Sequence, residues 1–224
     1  VRSSWSDAPG TRITSRSARP ISSSGLELGS PVDGMEEVDG QAVLALSQIP
    51  DQPGIAARLF ETLSEAGINV DLIIQATHEG NSNDITFTVA EADLELARPV
   101  CQKVLDQLGG DLASEGGLTK LSISGAGIMG RPGIAAGLFN CLCQQGINLR
   151  LIATSEVKVS CVIDSGAGSK AVQAVQEAFA LEDSQIRINP TDNGSGEPEV
   201  RGVALDRDQV QLSVRHVPDR PGTA

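Results

Sequence analysis

One short stretch of this chain combines residue types that suit a small zwitterion. Asp51-Gln52-Pro53-Gly54-Ile55-Ala56 joins a strand pattern to a helix pattern. Proline fits the first helical positions because its missing N–H would have no partner there. Gly54 lets the backbone come close to a bound group. The N–H groups of Ile55 and Ala56 then face outward at the positive end of a helix, a natural seat for a carboxylate. An amino acid also needs an anion for its ammonium, which Asp51 and, across the opening, Asp71 supply. Asn69, Val70 and Asp71 open the next strand and are expected beside the turn; Gln75, further along, offers both donor and acceptor groups. A plainer reading competes with this one: Asp51 caps the helix and Asn69 fills a turn.

The same block occurs again. Gly54, Phe60, Gly67 and Asn69 recur as Gly133, Phe139, Gly146 and Asn148, each 79 residues on, and a third copy opens at Val217-Pro218-Asp219-Arg220-Pro221-Gly222. A repeat of this length marks a supersecondary unit used more than once. The two full copies differ where chemistry matters. Arg150 stands for Asp71 and would repel an ammonium; Thr154 stands for Gln75. Gly125-Ala126-Gly127-Ile128-Met129-Gly130 contains G-x-G but lacks the spacing and acidic follow-up of a dinucleotide fingerprint. The first copy is therefore the expected pocket, and the second a pairing surface.

The elements that must position these residues follow from periodicity. Gln41–Ile49 alternates as a strand, with Val43, Ala45, Ser47 and Ile49 on one side. Ile55, Leu59 and Leu63 make a helical stripe that Gly67 closes. Strands are expected at Asn69–Thr77 and Asp84–Val89, with a turn over Glu79–Asn83, then a helix from about Asp93 to Leu108 containing an awkward Pro99. Leu118–Ser124 closes the unit. The second unit repeats the order: helix Ile134–Gln145, strands Ile147–Thr154 and Val157–Ile163, helix Lys170–Leu181, and a short strand Gln185–Ile188. This order is the split βαβ, ferredoxin-like arrangement, an α+β fold with antiparallel sheets and helices on one face. The expected divisions are 1–37 (tail of a preceding domain and linker), 38–117, 118–189, 190–199 (linker) and 200–224 (start of a third unit).

Bulk properties exclude several function classes. The formal charge is −12, which repels phosphate backbones and argues against nucleic acid as a partner. Arg2, Arg12, Arg16 and Arg19 against Asp7 leave the first 20 residues net positive, a local arm or a solvated tail. Cys101, Cys141, Cys143 and Cys161 form no C-x-x-C pair and read as reduced, buried thiols. No run approaches a membrane span of ~18 apolar residues. His78 and His216 are the only histidines, and no catalytic constellation, P-loop or zinc motif accompanies them. The chain begins with Val1 and stops inside the third copy, which reads as a piece of a longer polypeptide.

The motifs together resemble ACT domains, and specifically the tandem regulatory ACT domains of the aspartate kinase family. A-G-I-N-V-D-L-I-I-Q, N-D-I-T-F-T-V, S-G-A-G-I-M-G-R-P-G-I-A-A and L-I-A-T-S-E-V-K-V-S-C-V-I carry the resemblance, and V-R-S-S-W-S-D-A-P-G-T-R-I at 1–13 is similar to the end of that family's catalytic domain. The further ACT start at 200–224 resembles the four-ACT cyanobacterial form. The resemblance implies a parent enzyme that converts ATP and L-aspartate to 4-phospho-L-aspartate, with feedback inhibition by lysine, threonine or both, bound where ACT domains pair. It implies an effector site lined by Asp51, Gly54, Ile55, Ala56, Asn69, Val70, Asp71 and Gln75, with Asn148 and Leu149 of the paired copy and Ser155 and Glu156 nearby. It implies a homodimer in the cytoplasm, no cofactor, metal or catalytic residue in this chain, and ATP and Mg in a kinase domain upstream of Val1. Some relatives insert one ACT unit within another, so that a segment near Val38–Gln41 pairs with the second unit's sheet. The rival reading is a stand-alone tandem-ACT sensor of amino acids that controls a partner protein.

Overall fold

The computed structural model describes residues 30–78, 81–128 and 131–189, with 210, 212, 214 and 221; the arginine-bearing N-terminal stretch, the 190–199 linker and most of the third copy lie outside the described residues. The elements are β1 (Gly34–Pro50), α1 (Ile55–Glu65), β2 (Val70–His78), β3 (Ser82–Ala90), α2 (Leu94–Leu108), β4 (Asp111–Ser124), α3 (Ile134–Gln144), β5 (Leu151–Thr154), β6 (Lys158–Asp164), α4 (Gly168–Phe179) and β7 (Ile186–Ile188). The helices agree with the apolar periodicity to within two residues. Pro99 lies inside α2, whose regular turns begin at Leu94.

The expected pair of sheets is one sheet of seven strands, ordered β2-β3-β1-β4-β6-β5, with β7 on β1. Two long strands run through both units. The second half of β1 pairs with β3, and its first half, Gly34–Val38, pairs with Lys120–Ser124 of β4. That slot beside β4 is where a ferredoxin-like unit would put its own last strand. The second unit's last strand, β7, is displaced outward and pairs in parallel with Met35–Glu37. Residues 34–37, read as linker, are therefore strand, and Val32 just before them is fully buried. The first unit's closing strand is Asp111–Glu115, which pairs with Val43–Ser47; Leu118–Ser124 belongs to the second unit. Asp111–Glu115 escaped the periodicity because only Leu112 packs against the core from it.

Both long strands bend where a glycine takes positive φ, Gly40 at 64° and Gly117 at 70°, and their register slips there. The bend brings β2 and β5, at opposite ends of the sheet order, into contact. Leu118, Leu151 and Val162 form a small apolar cluster with Val43, Leu72 and Ile74 on the face that carries no helix. The helix-covered face holds two larger cores, one against α1 and α2 and one against α3 and α4. Ala42, Leu44 and Leu46 point into the first core, so Val43, Ala45 and Ser47 share the opposite side, as expected, while Ile49 does not. Ile49 joins that core because a bulge between Leu46 and Ile49, with Gln48 at φ 57°, inverts the alternation. Asp84 holds the bulge by accepting the Gln48 N–H at 2.9 Å.

Candidate functional site

The turn between β1 and α1 forms an open cleft of about 310 Å³. Asp51, Gly54, Ile55, Ala56 and Gln75 line it together, as the residue types required. Gly54 adopts φ 94°, so the chain enters α1 through a left-handed residue and no side chain caps the helix. Asp51 is thus not a cap. Its backbone N–H donates to Asn81 O at 2.8 Å, and its carboxylate accepts from Asn83 Nδ2 at 2.7 Å. The first intrahelical bond is Arg58 N–H to Gly54 O at 2.9 Å. Of the two N–H groups expected to face outward, that of Ile55 instead turns back to Gln52 O at 3.4 Å; those of Ala56 and Ala57 have no acceptor in the helix, as in any helical first turn. The cleft therefore brings the Asp51 carboxylate together with the start of an uncapped helix. Gln75 reaches it from β2, where it pairs with Ile85.

Asn83 is the residue sequence reasoning missed. It sits among turn-forming Asn and Ser residues and read as loop, but it is the second residue of β3, 4% exposed, and pairs with Ile49. Its position on the same strand face as Ile85 and Phe87 was the available signal.

Asn69, Val70 and Asp71 are not beside the cleft. β1 and β2 are both antiparallel to β3, so β2 starts at the end of the sheet opposite to where β1 finishes. The 11 residues of α1 separate the two places by ~16 Å. The three residues line a second groove of about 570 Å³ with Glu36, Lys120 and Arg187. There the Lys120 ammonium donates to the Asp71 carboxylate, linking β4 to β2 across the helix-free face. Asn148 and Leu149 are half-buried in the loop before β5, and Ser155 and Glu156 are exposed in the turn after it. Neither pair lines the cleft or the groove. Ser155 closes its own turn, with N–H to Lys158 O at 2.8 Å. Arg150, the counterpart of Asp71, pairs with Asp164 at 3.2 Å and Glu115 at 3.4 Å.

The second unit copies the helix start. Gly133 takes φ 99° and α3 is uncapped, as in the first unit. Pro31, however, passes directly over the glycine loop. A Cβ at Gly127 would lie 2.6 Å from Pro31 Cα, and one at Gly125 would collide with Pro31 O. These glycines admit a neighbouring backbone rather than a phosphate. Among the described residues no group of three or more His, Cys, Asp or Glu is placed to hold a metal ion, and no helix is long and apolar enough to cross a membrane. All four cysteines are free; burial pushes the thiol of Cys101 up to about 11 and that of Cys161 up to about 12.

Comparison with known proteins places this architecture. The ACT domain family matches residues 47–105 and 121–179. An aspartokinase of Thermus thermophilus is 35% identical over 184 residues, covering 81% of this chain and 44% of that protein; the chain thus spans under half the length of that relative. The crystal structure of aspartate kinase from Synechocystis superposes with a TM-score of 0.80 at 44% identity, covering 88% of this chain and 34% of that one. The ligand-free regulatory subunit of aspartate kinase from Thermus thermophilus superposes with a TM-score of 0.62 at 36% identity, covering 66% of this chain and 99% of the subunit. The chain belongs to the ACT domain family, as a tandem pair matching the regulatory region of aspartate kinases and not their kinase domain.

Proposed function

We propose that this chain is the amino-acid-sensing region of an aspartate kinase, and that the sensing site is the cleft before α1. The carrying observation is the uncapped helix start at Gly54 facing Asp51, a donor end and an anionic end in one cleft. The ligand carboxylate sits on the first-turn N–H groups, its ammonium on Asp51, and its side chain toward Gln75. Lysine and threonine are the effectors of this reading, and the parent enzyme phosphorylates the side-chain carboxylate of L-aspartate with ATP. Regulation follows from linkage: a ligand that prefers one arrangement of the ACT pair biases an attached kinase by that difference in affinity. A homodimer in which Asn148 and Leu149 of one copy lie over the cleft of the other completes the site. Asp71, already held by Lys120, serves the fold first.

The test is thermal unfolding and titration calorimetry of the whole chain with L-lysine, L-threonine and the other common amino acids. Binding to the folded state raises the melting temperature by mass action, so at least one amino acid is expected to do so, and Asp51→Ala to remove the shift. Sedimentation equilibrium with and without that amino acid reads the dimer. No shift with any amino acid refutes the reading.

A further inference from the structure

Among the described residues one buried side-chain polar atom has no hydrogen-bond partner: the amide oxygen Oδ1 of Asn83. Asn83 lines the cleft, and its amide nitrogen donates to Asp51 Oδ1 at 2.7 Å. That bond fixes the turn of the amide, because a carboxylate only accepts; the reverse orientation would press two acceptor oxygens together. Buried polar atoms in native proteins nearly always find a partner, and an orphan marks a place for water, an ion or a ligand. Here the orphan is an acceptor beside a carboxylate, so the missing group is a donor, and a cationic donor suits both.

The second unit serves as a control. Strand pairing puts Gln75 opposite Ile85 and Thr154 opposite Val159. Two residues before Ile85 is Asn83; two before Val159 is Val157, apolar and 53% exposed. The counterpart of Asp51 at the 79-residue shift is Gly130. The copy whose loop is filled by Pro31 lacks both acceptors, while the open copy keeps both.

We infer that Asn83 Oδ1 receives the α-ammonium of the bound amino acid and makes the cleft select an amino acid over the same molecule without its α-amino group. This rests on the reading of the cleft as an amino-acid site. An ammonium has three N–H donors, enough for Asn83 and Asp51 together with one for water. A deaminated analogue leaves Asn83 Oδ1 unpaired and Asp51 facing an apolar carbon, and sites built for an N–H discriminate strongly against ligands lacking it.

The experiment is calorimetric titration of the whole chain with L-threonine and 3-hydroxybutanoate, and with L-lysine and 6-aminohexanoate, each second member lacking only the α-ammonium. In the natural protein the amino acid is expected to bind at least about tenfold tighter than its analogue. Asn83→Leu is expected to remove that preference. Circular dichroism checks each variant, and Asn83→Ala replaces Asn83→Leu in the comparison if the latter does not fold. Undiminished preference in the apolar variant overturns the inference alone. If the natural protein binds neither amino acid and no other common amino acid raises its melting temperature, the amino-acid reading of the cleft falls and this inference with it, a result that appears before any substitution is made.

Discussion

The Lys120–Asp71 pair should be strongly asymmetric to substitution. The Lys120 side chain is 11% exposed, whereas that of Asp71 is 43% exposed. Asp71→Asn strands an ammonium that is nearly out of water. Breaking a fully buried pair from one side costs about 3–5 kcal/mol; the half-exposed position of Asp71, where water already screens the charge, reduces this to about 1–3 kcal/mol. Lys120→Met leaves a carboxylate that water reaches and an apolar chain along the same path, costing about 0–1 kcal/mol. At ~2–4 °C per kcal/mol for a chain of this size, Asp71→Asn should lower the melting temperature by about 2–12 °C and Lys120→Met by at most about 4 °C. The double variant should be more stable than Asp71→Asn alone, because it removes the stranded charge. Scanning calorimetry at low and high salt reads all three. A Lys120→Met cost equal to or above that of Asp71→Asn refutes the burial argument, and strict additivity in the double variant refutes the contact itself.

Three further outcomes follow from burial and close approach. Glu37 is buried beside Asp39, and burial, then the Asp39 charge, raises its carboxyl above the usual range. A raised carboxyl binds protons better folded than unfolded, so stability falls as pH rises from the ordinary carboxylate value through the raised one. Glu37→Gln should therefore raise the melting temperature at pH 7–8 and change it little near pH 4; a gain that does not grow with pH counts against this. Cys101 and Cys161 are fully buried with thiols pushed up to about 11 and about 12, so iodoacetamide at pH 8 should spare both in the native protein and label both in urea, as read by peptide mass spectrometry. Labelling of either at the unfolded rate would contradict their burial. Gly127→Val sets a Cβ 2.6 Å from Pro31 Cα, an overpacking cost of about 1–3 kcal/mol, and should speed hydrogen exchange at the Asp33 N–H, which bonds Ser124 O at 2.9 Å. Unchanged stability and exchange would show that Pro31 does not lie there.

Legibility in the sequence divides along a physical line. Helices α1 and α3 announced themselves because each has an apolar stripe ended by a glycine, and these signals are local. The cleft was legible for the same reason: Asp51, Gly54, Ile55 and Ala56 are neighbours in the chain. What depended on strand partners was not legible in periodicity; the family resemblance alone put a segment near Val38–Gln41 on the second unit's sheet, where Val38 pairs with Lys120 and Gln41 with Leu118. Gly34–Val38 carries Glu36 and Glu37 and reads as a polar approach, yet it pairs with residues more than 80 positions away. Ile49 was placed on the side of Val43, Ala45 and Ser47 because the bulge at Gln48, which turns it into the core, leaves no mark in composition. Asn69–Asp71 went to the wrong end of the unit because sequence proximity to the helix was taken for proximity to the helix start. The third copy carries a similar lesson. Val210, Leu212 and Val214 are 85%, 89% and 82% exposed, while their counterparts 168 residues earlier, Ala42, Leu44 and Leu46, are core.

The shared strands alter what the repeat means physically. Divisions at 37/38 and 117/118 fall inside β1 and β4. Removing the second unit would strip Gly34–Val38 of partners on both sides, and removing the first would cut β1 after Glu37 and β4 before Leu118, in mid-strand. Every unpaired backbone group left dry costs about as much as a lost hydrogen bond, so the unit of sequence is not a unit of stability. The same strand also accounts for the divergence of the copies. Pro31 and Val32, which lead into β1, close the glycine loop of the second unit. Pro50, which ends β1, delivers Asp51 to the open turn of the first. The chain leading into one strand thus packs on Gly125 and Gly127 of the second unit, and the end of that strand builds the open turn of the first; the unit that Pro31 packs on is the one that lacks the acceptors an ammonium needs.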